Sequence, residues 1–300
     1  MDKKEKLLLT GATGTIGGAL LPELAGKYQV VVLVRDEQKL PKDLNEHYEV
    51  VKGSVWEEKV LKAALEGVKV VLFNTLGDPK EKEKNMAALK LILAELKSQA
   101  TADHPSHLIL TTGITSGGLA EDHNDPVDET TPKKKLSPWD RGDYEDLVFG
   151  SQDDRLKTAV VRPAWVYGGA SYADKWLEFA KKEKKVLVPS DQDVWISSVH
   201  LEDLVSLYLL ILEKRQSGVF NASEGATQLR NLVSLAQKAF DAEILEVKNS
   251  AEILERGIFF AFAMRKDFSL VSISVNSPKV GWKPKHTFSR FLGDLAKHEK

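Results

Sequence analysis

The chain has no cysteine. Disulfides, thiolate metal sites and cysteine nucleophiles are therefore excluded, and the composition suits a reducing compartment. It has little net charge, −2 at pH 7 over 300 residues. Nothing in that balance calls for nucleic acid or an anionic membrane as a partner. It also lacks long apolar runs. Its longest patches, such as Ile258 to Met264, are far too short to span a bilayer. No His-Glu-x-x-His or carboxylate cluster suggests a metal, and His104 and His107, which flank Pro105, read as a polar loop. The charged start, Met1-Asp2-Lys3-Lys4-Glu5-Lys6, leaves no room for a secretory segment. The expectation is a cytoplasmic protein, with no metal, nucleic acid or membrane partner.

What is present begins at Leu7-Leu8-Leu9-Thr10-Gly11-Ala12-Thr13-Gly14-Thr15-Ile16-Gly17-Gly18. An apolar run ends in a threonine, and glycines follow at 11, 14 and 17. That pattern predicts a buried strand, a tight turn and the first turn of a helix (Ala19 to Ala25), the arrangement that seats a dinucleotide pyrophosphate. Gly11 permits the sharp exit from the strand. Gly14 lets phosphates approach backbone N–H groups. Gly17 lets the helix pack on the strand. The helix's unpaired N–H groups and positive dipole end stabilise the anion.

The first 165 residues alternate strand and helix. Strands are predicted at Lys6–Thr10, Gln29–Val34, Glu49–Lys52, Lys69–Asn74, His107–Thr112 and Thr158–Arg162. They are short and apolar, as expected of strands covered on both faces. Helical periodicity covers Glu57–Leu65 and Lys80–Lys97. The expected fold class is α/β, a doubly wound parallel sheet of Rossmann type with a smaller interleaved C-terminal substrate lobe. The expected boundary puts the core at 1–166 and the lobe at 167–300, with 195–222 returning to the sheet. A long loop, Gly117 to Pro138, follows the fifth strand at the carboxyl edge, where ligands bind. Beyond it, helices are predicted at Tyr172–Lys185, Leu201–Arg215, Leu229–Phe240 and Ala251–Met264. Extended pieces are predicted at Val186–Pro189, Trp195–Val199, Val219–Asn221 and Glu243–Val247.

Five landmarks stand in order: Gly11-Ala12-Thr13-Gly14-Thr15-Ile16-Gly17, Leu110-Thr111-Thr112, Val161-Arg162-Pro163-Ala164-Trp165-Val166-Tyr167-Gly168, Val199-His200-Leu201-Glu202-Asp203-Leu204 and Val280-Gly281-Trp282-Lys283-Pro284. Together they resemble the extended short-chain dehydrogenase/reductase superfamily, in its epimerase and dehydratase-like branch, over nearly the whole chain. Active members carry a Tyr-x-x-x-Lys pair on the helix after the fifth strand. Here the resemblance puts Ser137 in the tyrosine slot and Arg141 in the lysine slot, so neither catalytic side chain is present. The only textual match, Tyr48-Glu49-Val50-Val51-Lys52, lies in a predicted strand, where residues four apart are separated by ~13 Å. It cannot serve. The substitutes are Tyr144, with Arg141 three residues before it to lower its pKa, and Thr112, at the family's helper hydroxyl. The catalytic candidates are thus Thr112, Arg141 and Tyr144.

The resemblance also implies a cofactor-binding set: Gly11, Thr13, Gly14, Thr15, Ile16, Gly17, Arg35, Lys39, Ser54, Val55, Asn74, Thr75, Leu76, Thr111, Pro163 and Val166. The second strand ends in Arg35-Asp36. A ribose 2′-phosphate wants a cation there, and Arg35, with Lys39 four residues on, favours NADP over NAD. Asp36 weighs the other way. Trp139, Trp165, Trp176 and Trp195 are candidates to line a hydrophobic pocket. The functional expectation is an NADP(H)-binding oxidoreductase or epimerase-like enzyme on a small organic substrate. The alternative is a non-catalytic NADP(H) sensor or assembly factor. A homodimer is left open.

Overall fold

A computed structural model describes residues 4–41, 47–76, 79–118, 120, 124–131, 141–189, 194–247 and 271–298. In chain order, the first half runs β1 (Lys6–Thr10), α1 (Thr15–Ala25), β2 (Gln29–Val34), β3 (Tyr48–Lys52), α2 (Glu58–Ala64), β4 (Val70–Phe73), α3 (Lys82–Ser98), β5 (Ser106–Thr111), α4 (Gly142–Gly150) and β6 (Leu156–Pro163). The second half runs β7 (Trp165–Tyr167), α5 (Tyr172–Glu183), β8 (Lys185–Pro189), β9 (Trp195–His200), α6 (Leu201–Glu213), β10 (Gly218–Ala222), β11 (Ala226–Gln228), α7 (Leu229–Phe240), β12 (Glu243–Val247) and α8 (Phe288–His298).

The large sheet has seven strands in the order β10-β6-β5-β4-β1-β2-β3. Pairing is parallel from β6 across to β3, with Leu8 opposite both Val31 and Val71. The chain order reverses beside β1, so the connections that leave the carboxyl ends of β1 and β4 part to opposite faces of the sheet, the arrangement that opens a crevice there. Leu7, Leu8, Leu9, Val31, Val71 and Leu108 are completely buried. This explains why these strands read as unbroken apolar runs.

The chain divides into two compact units. One comprises Met1–Ser116, Ser137–Arg162 and Tyr208–Phe220; the other comprises Gly117–Leu136, Pro163–Leu207 and Asn221–Lys300. The loop after β5 therefore falls in the second unit, and the returning piece 208–220 falls in the first. Of the stretch 195–222, only β10 joins the large sheet. β9 instead forms a three-stranded sheet with β7, parallel, and β11, antiparallel. β8 and β12 form a separate parallel pair.

The second unit has its own core, in which Tyr167, Trp176, Ile196, Leu232, Phe288 and Leu292 take part. α5 opens on a reciprocal cap between Ser171 and Asp174 and stops at Lys184, which adopts a left-handed conformation. The helix predicted through Lys185 is short of that by two residues for this reason. The helix predicted at Ala251–Met264 lies outside the described residues.

Candidate functional site

The turn after β1 is built as its glycines require. Gly11 has φ +70°, and a Cβ there would lie 2.9 Å from the Asn74 carbonyl oxygen. The Gly14 N–H donates to the Gly11 carbonyl at 2.9 Å and closes the turn. A Cβ on Gly17 would lie 2.2 Å from the Gly11 carbonyl oxygen, so only glycine lets α1 seat against the turn. Gly14 is the N-cap of α1. No side chain caps that helix, and no acidic residue stands in its first turn. The start of this eleven-residue helix thus has no side-chain cap, an arrangement that suits an anion.

A cavity of about 490 Å³ opens at this turn. Gly11 and Thr13 line it, together with Leu33, Val34 and Arg35 from the end of β2 and Gly53, Ser54, Val55 and Trp56 after β3. Asn74, Thr75 and Leu76 after β4, and Glu81, complete the wall. Eight of the sequence candidates meet here: Gly11, Thr13, Arg35, Ser54, Val55, Asn74, Thr75 and Leu76. Gly14, Thr15, Ile16 and Gly17 follow Thr13 directly as the N-cap and first turn of α1. Sequence reasoning missed Trp56. Its indole N–H donates to Asn85 Oδ1 at 2.9 Å, which fixes the ring. A tryptophan directly after Gly53-Ser54-Val55 was the signal available.

Asn74, a residue of the cavity wall, carries an unsatisfied polar group. Its Nδ2 is buried without a hydrogen-bond partner. Its backbone N–H donates to Thr10 Oγ1 at 3.0 Å, and its Oδ1 accepts from the Thr111 hydroxyl. A buried unmade donor beside a glycine turn suits an oxygen-rich ligand. Thr111 itself is turned into this network and does not line the cavity.

The two residues after β2 diverge. Arg35 lines the cavity. Asp36 accepts the Gln38 N–H at 3.1 Å and lies 3.8 Å from Lys39 Nζ. Lys39 is absent from the cavity wall and stands beside that carboxylate.

The three catalytic candidates are all engaged elsewhere in the first unit. The Thr112 hydroxyl donates to Glu145 Oε1 at 2.8 Å. Arg141 does not stand on α4 but precedes it as the N-cap. Its guanidinium donates to the carbonyls of Thr112 (2.8 Å) and Leu76 (2.5 Å), tying together the segments that leave β5 and β4. Tyr144 is buried, with its phenol directed at the Lys82 carbonyl of α3 at 3.4 Å. Burial pushes its pKa up, against the smaller lowering effects of the Asn85 hydrogen bond, Lys82 and Arg141. The expected lowering by Arg141 is thus outweighed by desolvation. Ser137 and Trp139 lie outside the described residues.

Pro163 and Val166 belong to the second unit, where Val166 pairs with Val199. Trp176 is fully buried there and donates to the Leu187 carbonyl at 2.9 Å. Trp165 packs on it and on Phe288, and Trp195 packs beside Val127 and Val271. These three tryptophans build core. His200, Glu202 and His286 bring ligand atoms within 4.8 Å of one another. The two imidazoles, however, stack at 4.0 Å with 25° between their planes. Their in-plane lone pairs run side by side and do not converge on an ion. His200 Nδ1 accepts the Glu202 N–H, and His286 Nδ1 lies 3.1 Å from Asp203. The cluster fastens the segment before α8 to the start of α6.

A sheet with this strand order, a glycine turn into an uncapped helix and a basic side chain at the end of β2 together define a dinucleotide-binding unit. A family profile described as NAD(P)H-binding matches residues 11–194, and the chain belongs to that family. In structure it is similar to dTDP-glucose 4,6-dehydratase from Bacillus anthracis in complex with NAD, at 16% identity over 98% of this chain and 96% of that one, with a TM-score of 0.78. It is similar to UDP-glucose 4-epimerase from Thermotoga maritima with UDP-glucose, at 19% identity over 98% of each chain and a TM-score of 0.75. It is also similar to UDP-glucuronic acid 4-epimerase from Bacillus cereus in complex with UDP-glucuronic acid and NAD, at 16% identity over 98% of this chain and 100% of that one, with a TM-score of 0.77. At these identities the likeness is one of fold, that of the extended short-chain dehydrogenase/reductase epimerases and dehydratases. No curated protein matches the chain in sequence. Among the described residues, no helix is long and apolar enough to cross a membrane.

Proposed function

We propose that this chain is an NADP(H)-binding oxidoreductase or epimerase-like enzyme acting on a small organic substrate from a non-standard active site. One observation carries the choice of cofactor. Arg35 lines the cavity, while the neighbouring Asp36 is spent capping Gln38 and pairing with Lys39. An acid that would hold a ribose 2′-hydroxyl is thus turned to the next loop, and a guanidinium suited to a 2′-phosphate is left. The residues fit the rest of the dinucleotide. The uncapped start of α1 takes the pyrophosphate, and the Asn74 Nδ2 donor faces no protein acceptor. Bound there, the nicotinamide supplies or accepts a hydride. Arg141 acts on the site by holding the Leu76 and Thr112 backbones in place.

A second reading is a redox or metabolite sensor that binds NADP(H) without turning it over. It is favoured by the engagement of Thr112, Arg141 and Tyr144 in structural bonds, which leaves none of the three as a ready proton donor. A panel of small carbonyl compounds and nucleotide sugars, followed by the absorbance of reduced nicotinamide, separates the two. Slow NADPH-dependent turnover, unchanged in Tyr144→Phe, is expected of the enzyme. A ~100-fold loss in that variant would make the phenol the donor after all. No turnover on any compound, with tight NADPH binding retained, supports the sensor.

A further inference from the structure

A chain of hydroxyls runs behind the cavity wall. Tyr208 of α6 is completely buried, and its phenol oxygen lies 2.5 Å from Thr111 Oγ1 at the end of β5. The Thr111 hydroxyl in turn donates to Asn74 Oδ1. Asn74 stands against the glycine turn, with its Cβ 3.3 Å from where a Gly11 Cβ would be. The arrangement is directional. Among the described residues Thr111 is the hydrogen-bond partner of the Tyr208 phenol, so a buried phenol that keeps its proton must donate to Thr111. Thr111 then has its own proton for Asn74, and the carboxamide is held with Oδ1 inward. Nδ2 is the group left without a partner, and Asn74 lines the cavity. Turning the carboxamide over would set its NH₂ against Thr111 and strand the Thr111 proton in a buried site.

We propose that Tyr208 is a positioning residue for dinucleotide binding: acting through Thr111, it fixes the Asn74 carboxamide so that Nδ2 donates to a phosphate or ribose oxygen of the cofactor. The proposal rests on the dinucleotide reading of the cavity and adds a residue with no place in its wall. The preset donor avoids reorienting an amide on binding. The three side chains act as one unit, so their contributions to affinity are not additive.

The test is calorimetric titration of the full chain with NADPH, with circular dichroism on each variant as the check on folding. Tyr208→Phe and Thr111→Val are each expected to weaken binding at least fivefold. Thr111→Ser, which keeps the hydroxyl, is expected to recover most of the Thr111→Val loss. In an Asn74→Leu background, Tyr208→Phe is expected to add less than a twofold further loss. If Asn74→Leu fails to fold, the Thr111→Val/Tyr208→Phe double variant takes its place, with a loss no larger than the worse single one. An unchanged affinity in Tyr208→Phe overturns the proposal. So does an equal loss with and without Asn74, which marks a merely structural tyrosine. Failure of the unmutated chain to bind NADPH or NADH overturns the cavity reading as well, whereas normal NADPH binding with an indifferent Tyr208→Phe overturns this proposal alone.

Discussion

Arg162 and Glu145 form a doubly bonded ion pair, at 3.0 and 2.5 Å, with both side chains shielded from solvent. It joins the end of β6 to α4 at the carboxyl edge of the sheet. The Thr112 hydroxyl joins it by donating to Glu145 Oε1 at 2.8 Å. A buried pair is costly to break because the surviving charge has no solvent. Glu145→Ala should lower stability by about 3–5 kcal/mol. Thr112→Val should cost about 1 kcal/mol and leave NADPH affinity unchanged. Chemical denaturation of the two variants checks both. Equal, small losses would mean the pair is solvated.

His107 sets an acid limit. It is completely buried, one ring nitrogen lies 2.9 Å from the Gln216 carbonyl, and Nδ1 has no partner. Burial, reinforced by the Arg215 charge, pushes its pKa down from 6.5 to about 3. The folded pKa lies below the unfolded one. The stabilisation is therefore complete above pH 6.5 and is lost as pH falls from there toward 3. Stability against pH in that window should be shallower in His107→Gln by up to about 1.4 kcal/mol per pH unit, the effect of one proton. Parallel slopes would contradict the assignment.

The two glycines at the start of α1 should fail differently. A Cβ on Gly17 strikes backbone at 2.2 Å, so Gly17→Val should not fold. On Gly14 the nearest atom is 3.3 Å away, and its φ is −91°, which any residue adopts. Gly14→Val should fold normally by circular dichroism and bind no dinucleotide, because its side chain fills the anion's place. Retained binding would put the site elsewhere.

Much of the first unit was legible in the sequence. β1 and β2 read at their observed ends, because each is a short apolar run with polar residues or glycine on either side. The glycine turn read equally well, since each glycine answers a steric demand. Other elements did not. β7 and β11 have three residues each, too few for any periodicity. α8 was missed although Phe288, Phe291, Leu292, Leu295 and Ala296 follow helical spacing; Lys283-Pro284 before it and Gly293 within it resemble a loop. The hydrogen bonds of Thr112 and Tyr144 were illegible for another reason. Each is made to a partner that local pattern does not reveal, 33 and 62 residues away.

The central claim is that the cavity at the end of β1 and β2 takes NADP(H), with Arg35 selecting the 2′-phosphate. Calorimetric titration with NADPH and with NADH tests it most directly. NADPH should bind at least tenfold more tightly, a difference of about 1.4 kcal/mol, and Arg35→Ala should remove most of that gap while leaving NADH affinity in place. Equal affinity for the two in the unmutated chain, or a gap that survives Arg35→Ala, would contradict the account.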